Sequence, residues 1–565
     1  MEIEIRLDVS TLRLVYKLFI ILIFFGFSLF IFYLNYQTVQ KYPIVFGDEG
    51  HHMRIAKEMA NRKEYLYYLD YYKPNPPAYG YFSIFHFLEA FGFLISEWFA
   101  KFLLPLTIFL ISFSMFTIFW KLFDEKIALL SSILFQTFQS TVIYSVTFYV
   151  DSLLTLFTFL GFGFLFIYNK EKRIEYLILS SIFASLTLII KPSLPSVIFA
   201  SFLILSFYLI VYKEKNYKHF FYLLIFPIIV VFSSIFSNTL IYNKMCIEIF
   251  PFSEVLNSYL KGDCSIKVVD YKDKYSFSAR TEQVGSEVDV FSMGITNYID
   301  FAYGYSYFVI FSLIVSFSYF LIKRNWEIIL LLLPIFLLTI YSITYDYLKN
   351  KSLGVFLRAE DTARYLYFSN PFIAFYISSI FLILKDLLKF FEKNKHYQKL
   401  QMIYVLLFLI SLFYISYYFY LSYSQKLDIM QKVKSFSNYF FEACNWVKSN
   451  LDKNATLMSL WGYRVVYACE RNVGGSADLR LSNNATFINE LAKYLGINYF
   501  FVEKFSIDPL NRHLAEMYDL SWVELLYNNT QYFEKVYENG IPFEQCKNYF
   551  NLGYSCDGVI IFKVK

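Results

Sequence analysis

The sequence predicts an α-helical polytopic membrane protein that carries a small C-terminal α/β domain. Three observations predict it. Of 565 residues, 57% are hydrophobic and only 17% are charged, where soluble domains carry about 25%. Mean hydropathy is +0.43, and apolar runs of about 20 residues, the length that crosses a bilayer, recur along most of the chain. From Gln425 onward the texture turns more polar, and helical runs alternate with strand-like ones. No internal period marks a repeat architecture. The net charge of +5 says less than where the charges lie.

The first span is Leu18–Leu34. No small-residue cleavage site follows it, so it reads as a retained helix and not a signal peptide. Arg6, Arg13 and Lys17 precede it and place the N-terminus in the cytoplasm. The next apolar stretch, Tyr81–Phe99, contains His86, Glu89 and Glu97 and several Gly and Ser. If it lies in the interface or re-enters, the basic connections Lys121/Lys126, Lys170/Lys172/Arg173, Lys213/Lys215/Lys218, Lys323/Arg324 and Lys385–Lys399 all fall inside. If it spans, all of them flip outside, so charge favours the interfacial placement. Further spans follow at Phe102–Leu122, Ile127–Thr147, Ser152–Tyr168, Tyr176–Ile190, Leu194–Tyr212, Phe220–Phe236, Tyr298–Ile322, Ile328–Ile343, Tyr367–Leu384 and Met402–Leu421. That makes about eleven spans.

Residues 1–424 then form the transmembrane domain, with 36–101 as an outer loop bearing interfacial helices. Residues 425–565 form a soluble extracytoplasmic α/β domain. In it Phe436–Asn450 and Ala485–Leu495 read as helices. Thr456–Leu460, Tyr499–Glu503 and Val559–Val564 read as strands. All six cysteines (Cys246, Cys264, Cys444, Cys469, Cys546, Cys556) fall outside, an even count that suits disulfides in an oxidising compartment. No CxxC spacing suggests a zinc ribbon. The sequons at Asn350, Asn454, Asn484 and Asn528 lie on the same side.

The stretch Phe46–Phe87 concentrates ionisable groups next to the first span. Asp48 and Glu49 are adjacent carboxylates at a membrane surface, able to act as a general base, to bind a divalent metal ion, or to pair with cations. His51 and His52 would complete a metal site; a neighbouring His pair is more often polar surface. No other cofactor is indicated. Asp151 opens a span at the same depth, where a helix cap is the plainer reading. Lys191, before Pro192, ends a span and can snorkel to the interface or meet a phosphate. Arg364 and Tyr365 precede a span; arginine suits bidentate phosphate recognition, and an interfacial anchor is the alternative. Together these acids and bases suit a reaction on a lipid-linked phosphorylated substrate. P-loop, GxGxxG, GxSxG and HExxH patterns do not occur, which disfavours ATP hydrolysis and serine or zinc proteolysis.

An Asp-Glu pair after the first span, the helix RIAKEMANRKEY and a turn with Pro76, Pro77 and Tyr79 resemble the GT-C superfamily of membrane glycosyltransferases. Within it the chain is most similar to the protein O-mannosyltransferase and aminoarabinose-transferase-like clan (family 39/83 type). WFAKFLLPLTIFL and SVTFYVDSLLTLF continue the resemblance over roughly the first 200 residues, and it reaches in outline to Arg364-Tyr365. It implies inverting sugar transfer from a polyprenyl-phosphate donor at the outer face. It casts Asp48 as the base that activates the acceptor hydroxyl, Glu49 as its partner and Asp151 as a second essential carboxylate. Lys191, Arg364, Tyr365, Tyr79 and Lys73 become candidate substrate contacts. The turn Lys73-Pro-Asn-Pro-Pro-Ala-Tyr79 departs from the family's Pro-Pro-Leu core, and no MIR-type β-trefoil insertion is present. The implied partners are the lipid-linked donor, membrane lipids and an acceptor that is protein, lipid or glycan; nothing points to nucleic acid.

Two alternatives stay open. Ser459-Leu-Trp461-Gly462-Tyr463 resembles the Trp-Trp-Asp-Tyr-Gly motif of oligosaccharyltransferases without its second Trp and its Asp. A transporter or polymer-export subunit would instead line a polar path with Asp48 and Asp151.

Overall fold

The computed structural model describes residues 9–41, 49–66, 71–73, 83–190, 194–242, 306–333, 337, 367–390, 397–459, 462–474, 479, 482–504, 520–551 and 556–565. The expected span Ile328–Ile343 lies mostly outside the described residues, as do Cys246 and Cys264.

The first half is a helical bundle. Its elements are α1 (Val9–Lys41), α2 (Glu49–Arg62), α3 (Ile84–Ile95), α4 (Glu97–Leu122), α5 (Glu125–Thr137), α6 (Gln139–Tyr144), α7 (Asp151–Glu171), α8 (Ile174–Thr187), α9 (Leu194–Ser206) and α10 (Tyr217–Tyr242). Then come α11 (Ser306–Ile322), α12 (Asn370–Ser378), α13 (Ile380–Phe390) and α14 (Tyr397–Asn450). Among the described residues, five stretches are long and apolar enough to cross a membrane: Leu14–Lys41, Glu97–Leu122, Asp151–Glu171, Tyr367–Lys389 and Lys399–Asp428. The protein is a multi-pass membrane protein.

Local chemistry sets the breaks. Tyr81–Phe99 is not one helix: α3 ends at Ser96, whose hydroxyl accepts the Phe99 N–H and starts α4. The two helices fold back tightly; a Cβ on Gly92 would sit 2.7 Å from Ala100 Cα. At 12 residues α3 is about 18 Å long, too short for a core of about 30 Å, so it does not span. Ile127–Thr147, expected as one span, divides at Phe138 (φ −57°, ψ 136°) into α5 and α6. The run there is polar, and the Thr137 hydroxyl bonds back to the Leu134 carbonyl, a local competitor to the helix ladder. Asp124 caps α5 by accepting the Lys126 and Ile127 N–H groups.

The basic connections gather at one end of the bundle. Lys385 pairs with Asp124, Lys121 with Glu171, Lys213 with Glu327 and Lys323 with Asp386. The C-terminal domain stands at the opposite end. There α14 continues without interruption through the compositional boundary at 424/425 and reaches Asn450, 54 residues in all, about 81 Å.

Among the described residues the domain holds a six-stranded sheet in the order β1-β3-β2-β4-β6-β5, with β2 (Thr456–Met458), β3 (Asn472–Gly474), β4 (Tyr499–Glu503), β5 (Phe533–Glu538) and β6 (Val559–Val564). Its first strand, β1 (Tyr72–Lys73), comes from the loop after α2 and pairs in parallel with β3: Tyr72 opposite Val473, Lys73 opposite Gly474. One face packs on α14 through Phe440, Ala443, Cys444 and Val447, against Leu457, Phe501 and Ile561. Helix α15 (Gly462–Ala468) lies between the sheet and α2. Lys57 of α2 pairs with Glu470 at 2.9 Å. Disulfides Cys444–Cys469 and Cys546–Cys556 form as the even cysteine count suggests.

Arg471 closes the long helix. Its Nη2 donates to the carbonyls of Val447 (3.2 Å), Lys448 (2.9 Å) and Leu451 (2.9 Å) at the helix end; the Val447 carbonyl also accepts the Leu451 N–H. Arg471→Ala removes a charged donor from three carbonyls, two of them part-buried, and is expected to destabilise the domain by about 2 kcal/mol. Denaturant unfolding of the purified protein reads this; a loss under about 0.5 kcal/mol would mean water replaces the guanidinium.

Candidate active site

Three segments meet at the domain-bearing end of the bundle. Glu49 opens α2, where the helix dipole favours a carboxylate. It is 2% exposed, and its Oε1 accepts the Phe148 N–H at 2.9 Å. That bond ties α2 to the loop that leads into α7. Beneath it Met53, Val39, Val146 and Phe148 form one apolar cluster with Ala100 and Leu104.

Asp151 is the first residue of α7 and is buried. The cap position is Val150, with no side-chain cap bond, so the capping role is not the one Asp151 plays. Buried Tyr367 sets its hydroxyl beside Thr141 and Ser152 and within electrostatic reach of Asp151. Asn370 Nδ2 donates to Ser140 Oγ (2.9 Å) and Thr141 Oγ1 (3.3 Å). The break at Phe138 is what turns the short α6 so that Ser140 and Thr141 meet α12. Tyr144 packs edge-on against Tyr367, centroids 5.3 Å apart.

Helix α3 forms the second wall. The Ser83 hydroxyl donates to the Ile190 carbonyl (3.3 Å) and the Ile84 N–H to the Ile189 carbonyl (3.4 Å), so the residue before Lys191 abuts the start of α3. His52 Nδ1 and His86 Nε2 share a hydrogen bond of 2.8 Å between α2 and α3. Burial first, then nearby His51, holds His86 below the ordinary imidazole range and therefore neutral. Burial pushes the Glu89 carboxyl up, toward the protonated form.

Of the residues singled out in the sequence, the structure brings Glu49, His52 and Asp151 to this end. Asp48, Tyr79, Lys191, Arg364 and Tyr365 lie outside the described residues. Their chain neighbours Glu49, Ile190 and Tyr367 all belong to this neighbourhood. Lys73 is placed elsewhere, in β1 of the sheet. Among the described residues no group of three His, Cys, Asp or Glu could hold a metal ion. His52 Nδ1 is engaged by His86, and Asp48, the first expected ligand, lies outside the described residues. Sequence reasoning missed Tyr367, Ser140, Thr141, Asn370 and the role of His86. The polar run Gln136–Thr141 inside an apolar stretch was the available signal.

The family model described as dolichyl-phosphate-mannose-protein mannosyltransferase matches residues 75–237. No curated protein matches the chain. Among solved structures, the apo oligosaccharyltransferase of Archaeoglobus fulgidus superposes with a TM-score of 0.65 at 10% identity, covering 96% of this chain and 88% of that one. The A. fulgidus oligosaccharyltransferase AglB, in complex with an inhibitory peptide and a dolichol-phosphate, gives 0.58 at 12% identity, with 91% and 73% covered. ArnT from Cupriavidus metallidurans, bound to undecaprenyl phosphate, gives 0.50 at 10% identity, with 96% and 97% covered. The class these findings define is the multi-pass membrane protein with the GT-C glycosyltransferase fold. Within that class, residues 75–237 are the part that is similar to the mannosyltransferase family model.

Proposed function

We propose that this chain is an integral-membrane glycosyltransferase that moves a sugar from a polyprenyl-phosphate donor to an acceptor hydroxyl or amide at the outer face, with inversion. The observation that carries this reading is the convergence of Glu49, Asp151, Ile190 and Tyr367 at the domain-bearing end of the bundle. Of these, Glu49, Ile190 and Tyr367 are within three residues in the chain of Asp48, Lys191, and Arg364 and Tyr365, respectively; Lys73 lies apart, in β1. Basic connections clustered at the opposite end support a cytoplasmic N-terminus, and the two disulfides support an extracytoplasmic domain.

In this reading Asp48 takes the acceptor proton as the acceptor oxygen or nitrogen attacks the anomeric carbon. The bond from that carbon to the phosphate oxygen breaks, and polyprenyl phosphate leaves. Lys191 and Arg364 meet the leaving phosphate as point charge and fork. Asp151, held beside Tyr367 and Ser152, orients the donor sugar. Tyr79, Tyr365 and Lys73 remain proposed substrate contacts, and the membrane lipids are the medium that delivers the donor. The dolichol-phosphate and undecaprenyl phosphate bound in the similar structures belong to those proteins; they make this donor class the first to test.

The test is incubation of the purified chain with a panel of radiolabelled polyprenyl-phosphate sugars. Release of polyprenyl phosphate with one sugar is the expected result. No turnover or binding across the panel would overturn the reading and favour an export subunit. An oligosaccharyltransferase-like activity is the second reading, favoured by the superposition over 96% of the chain. Transfer to an Asn-x-Ser/Thr peptide, and not to hydroxyl acceptors, would select it.

Glu49 is a positioning residue in this scheme, because its carboxylate is spent on the Phe148 N–H. Glu49→Gln keeps an acceptor oxygen and is expected to hold activity within about fivefold, whereas Glu49→Ala loses about 10- to 100-fold. Equal, large losses in both variants would make the charge itself essential.

A further inference from the structure

Helices α1 and α14 flank a seam at the periphery of the bundle, each buried over only 22% of its most apolar window. Within the seam, toward the domain-bearing end, stands Lys426, 1% exposed. Its Nζ donates to Asn35 Oδ1 at 3.0 Å and lies 4.4 Å from the centre of the Tyr423 ring. The Tyr423 hydroxyl meets Thr38 Oγ1 at 3.1 Å. Among the described residues no carboxylate lies within ion-pairing distance of Lys426. A buried charge without a counter-charge is costly and marks function in a membrane protein.

The polarity of the pair is fixed. A lysine ammonium only donates, so Asn35 must turn its oxygen to it and its N–H groups away. What the pair offers further is therefore donors alone: the remaining Lys426 N–H groups and the Asn35 amide. A buried donor cluster with no counter-charge is completed by an anion, which would hold Lys426 as its ammonium. One turn beyond Asn35, about 6 Å along α1, Val39 packs with Val146 and Phe148, and Phe148 holds Glu49. The seam thus borders the candidate active site, and the outward faces of the two helices that cover it are exposed.

We propose that Lys426 and Asn35 bind the phosphate group of a lipid phosphate that enters laterally between α1 and α14. This rests on the lipid-phosphate reading above and assigns that reading a carrier-binding pair on the first and last described spans.

The experiment titrates the full-length protein in detergent with radiolabelled polyprenyl phosphate, inorganic phosphate or phosphatidylglycerol. Lys426→Met is expected to weaken polyprenyl phosphate binding by about 10- to 100-fold, and Lys426→Arg to keep it within about fivefold. Asn35→Asp supplies an internal counter-charge that keeps the seam folded and occupies the lysine; it should weaken binding as much as Lys426→Met. The donor KM should rise in step while kcat stays within about threefold. Binding unchanged in Lys426→Met and Asn35→Asp overturns the proposal. Equal, Lys426-dependent binding of inorganic phosphate or phosphatidylglycerol overturns the lipid-carrier assignment. Lys426-dependent binding of polyprenyl phosphate without turnover of any donor upholds the site and removes the transferase reading.

Discussion

Asp48→Asn is expected to lower kcat for sugar transfer by about a thousandfold, within the range that a general base contributes, with donor KM almost unchanged. The asparagine keeps size and polarity and loses the ability to accept a proton. Asp151→Asn should behave differently. Asp151 is buried beside Tyr367, Ser152 and Thr141, a setting that fixes orientation more than it receives protons. Its loss should therefore raise donor KM as well as lower kcat. Steady-state kinetics with the donor found in the panel separates the two. Asp48→Asn retaining more than about a tenth of wild-type kcat would place the base elsewhere. Both variants behaving as wild type, with transport of a lipid-linked sugar intact, would return the carboxylates to lining a path.

Much of this architecture is visible in the residues. The strands β4 and β6 fall where their short aromatic and β-branched runs put them, at Tyr499–Glu503 and Val559–Val564. Helices α1, α4, α7 and α10 follow their apolar runs. The grouping of basic loops at one end follows from charge bias alone. What stayed hidden depends on contacts between distant parts of the chain. Strand β1 has two residues and no periodic signal of its own; it exists because Val473 accepts it some 400 residues away. The helix α14 runs through the change in composition near residue 424, because composition reports where the chain leaves lipid and not where its backbone turns. In the site, Asp48 and Asp151 stood out because bare acids are rare beside apolar spans. Tyr367, Asn370 and Lys426 did not. Tyrosine is abundant here, and one lysine near the end of an apolar run reads as a snorkelling anchor until α1 is seen to cover it.

Loss of the Cys444–Cys469 bridge is expected to cost the C-terminal domain about 3 kcal/mol, the loop-closure entropy of a segment of this length. The two cysteines are 25 residues apart and both are fully buried. They join the upper part of α14 to the end of α15, and α15 packs on α2, whose first residue is Glu49. The bridge therefore acts on the site as well as on the domain. A Cys444→Ala/Cys469→Ala variant should unfold at lower denaturant and lose activity as α2 loosens. The Cys546–Cys556 bridge closes a shorter loop, 10 residues apart, and lies away from α2, so its removal should cost less and leave kcat near wild type. The same four thiols report orientation. In intact cells they should resist alkylation until a reductant is added, because a domain outside the cytoplasm meets an oxidising compartment. Free thiols at all four positions would reverse the orientation, place the domain in the cytoplasm, and with it move the candidate site away from an outer-face donor.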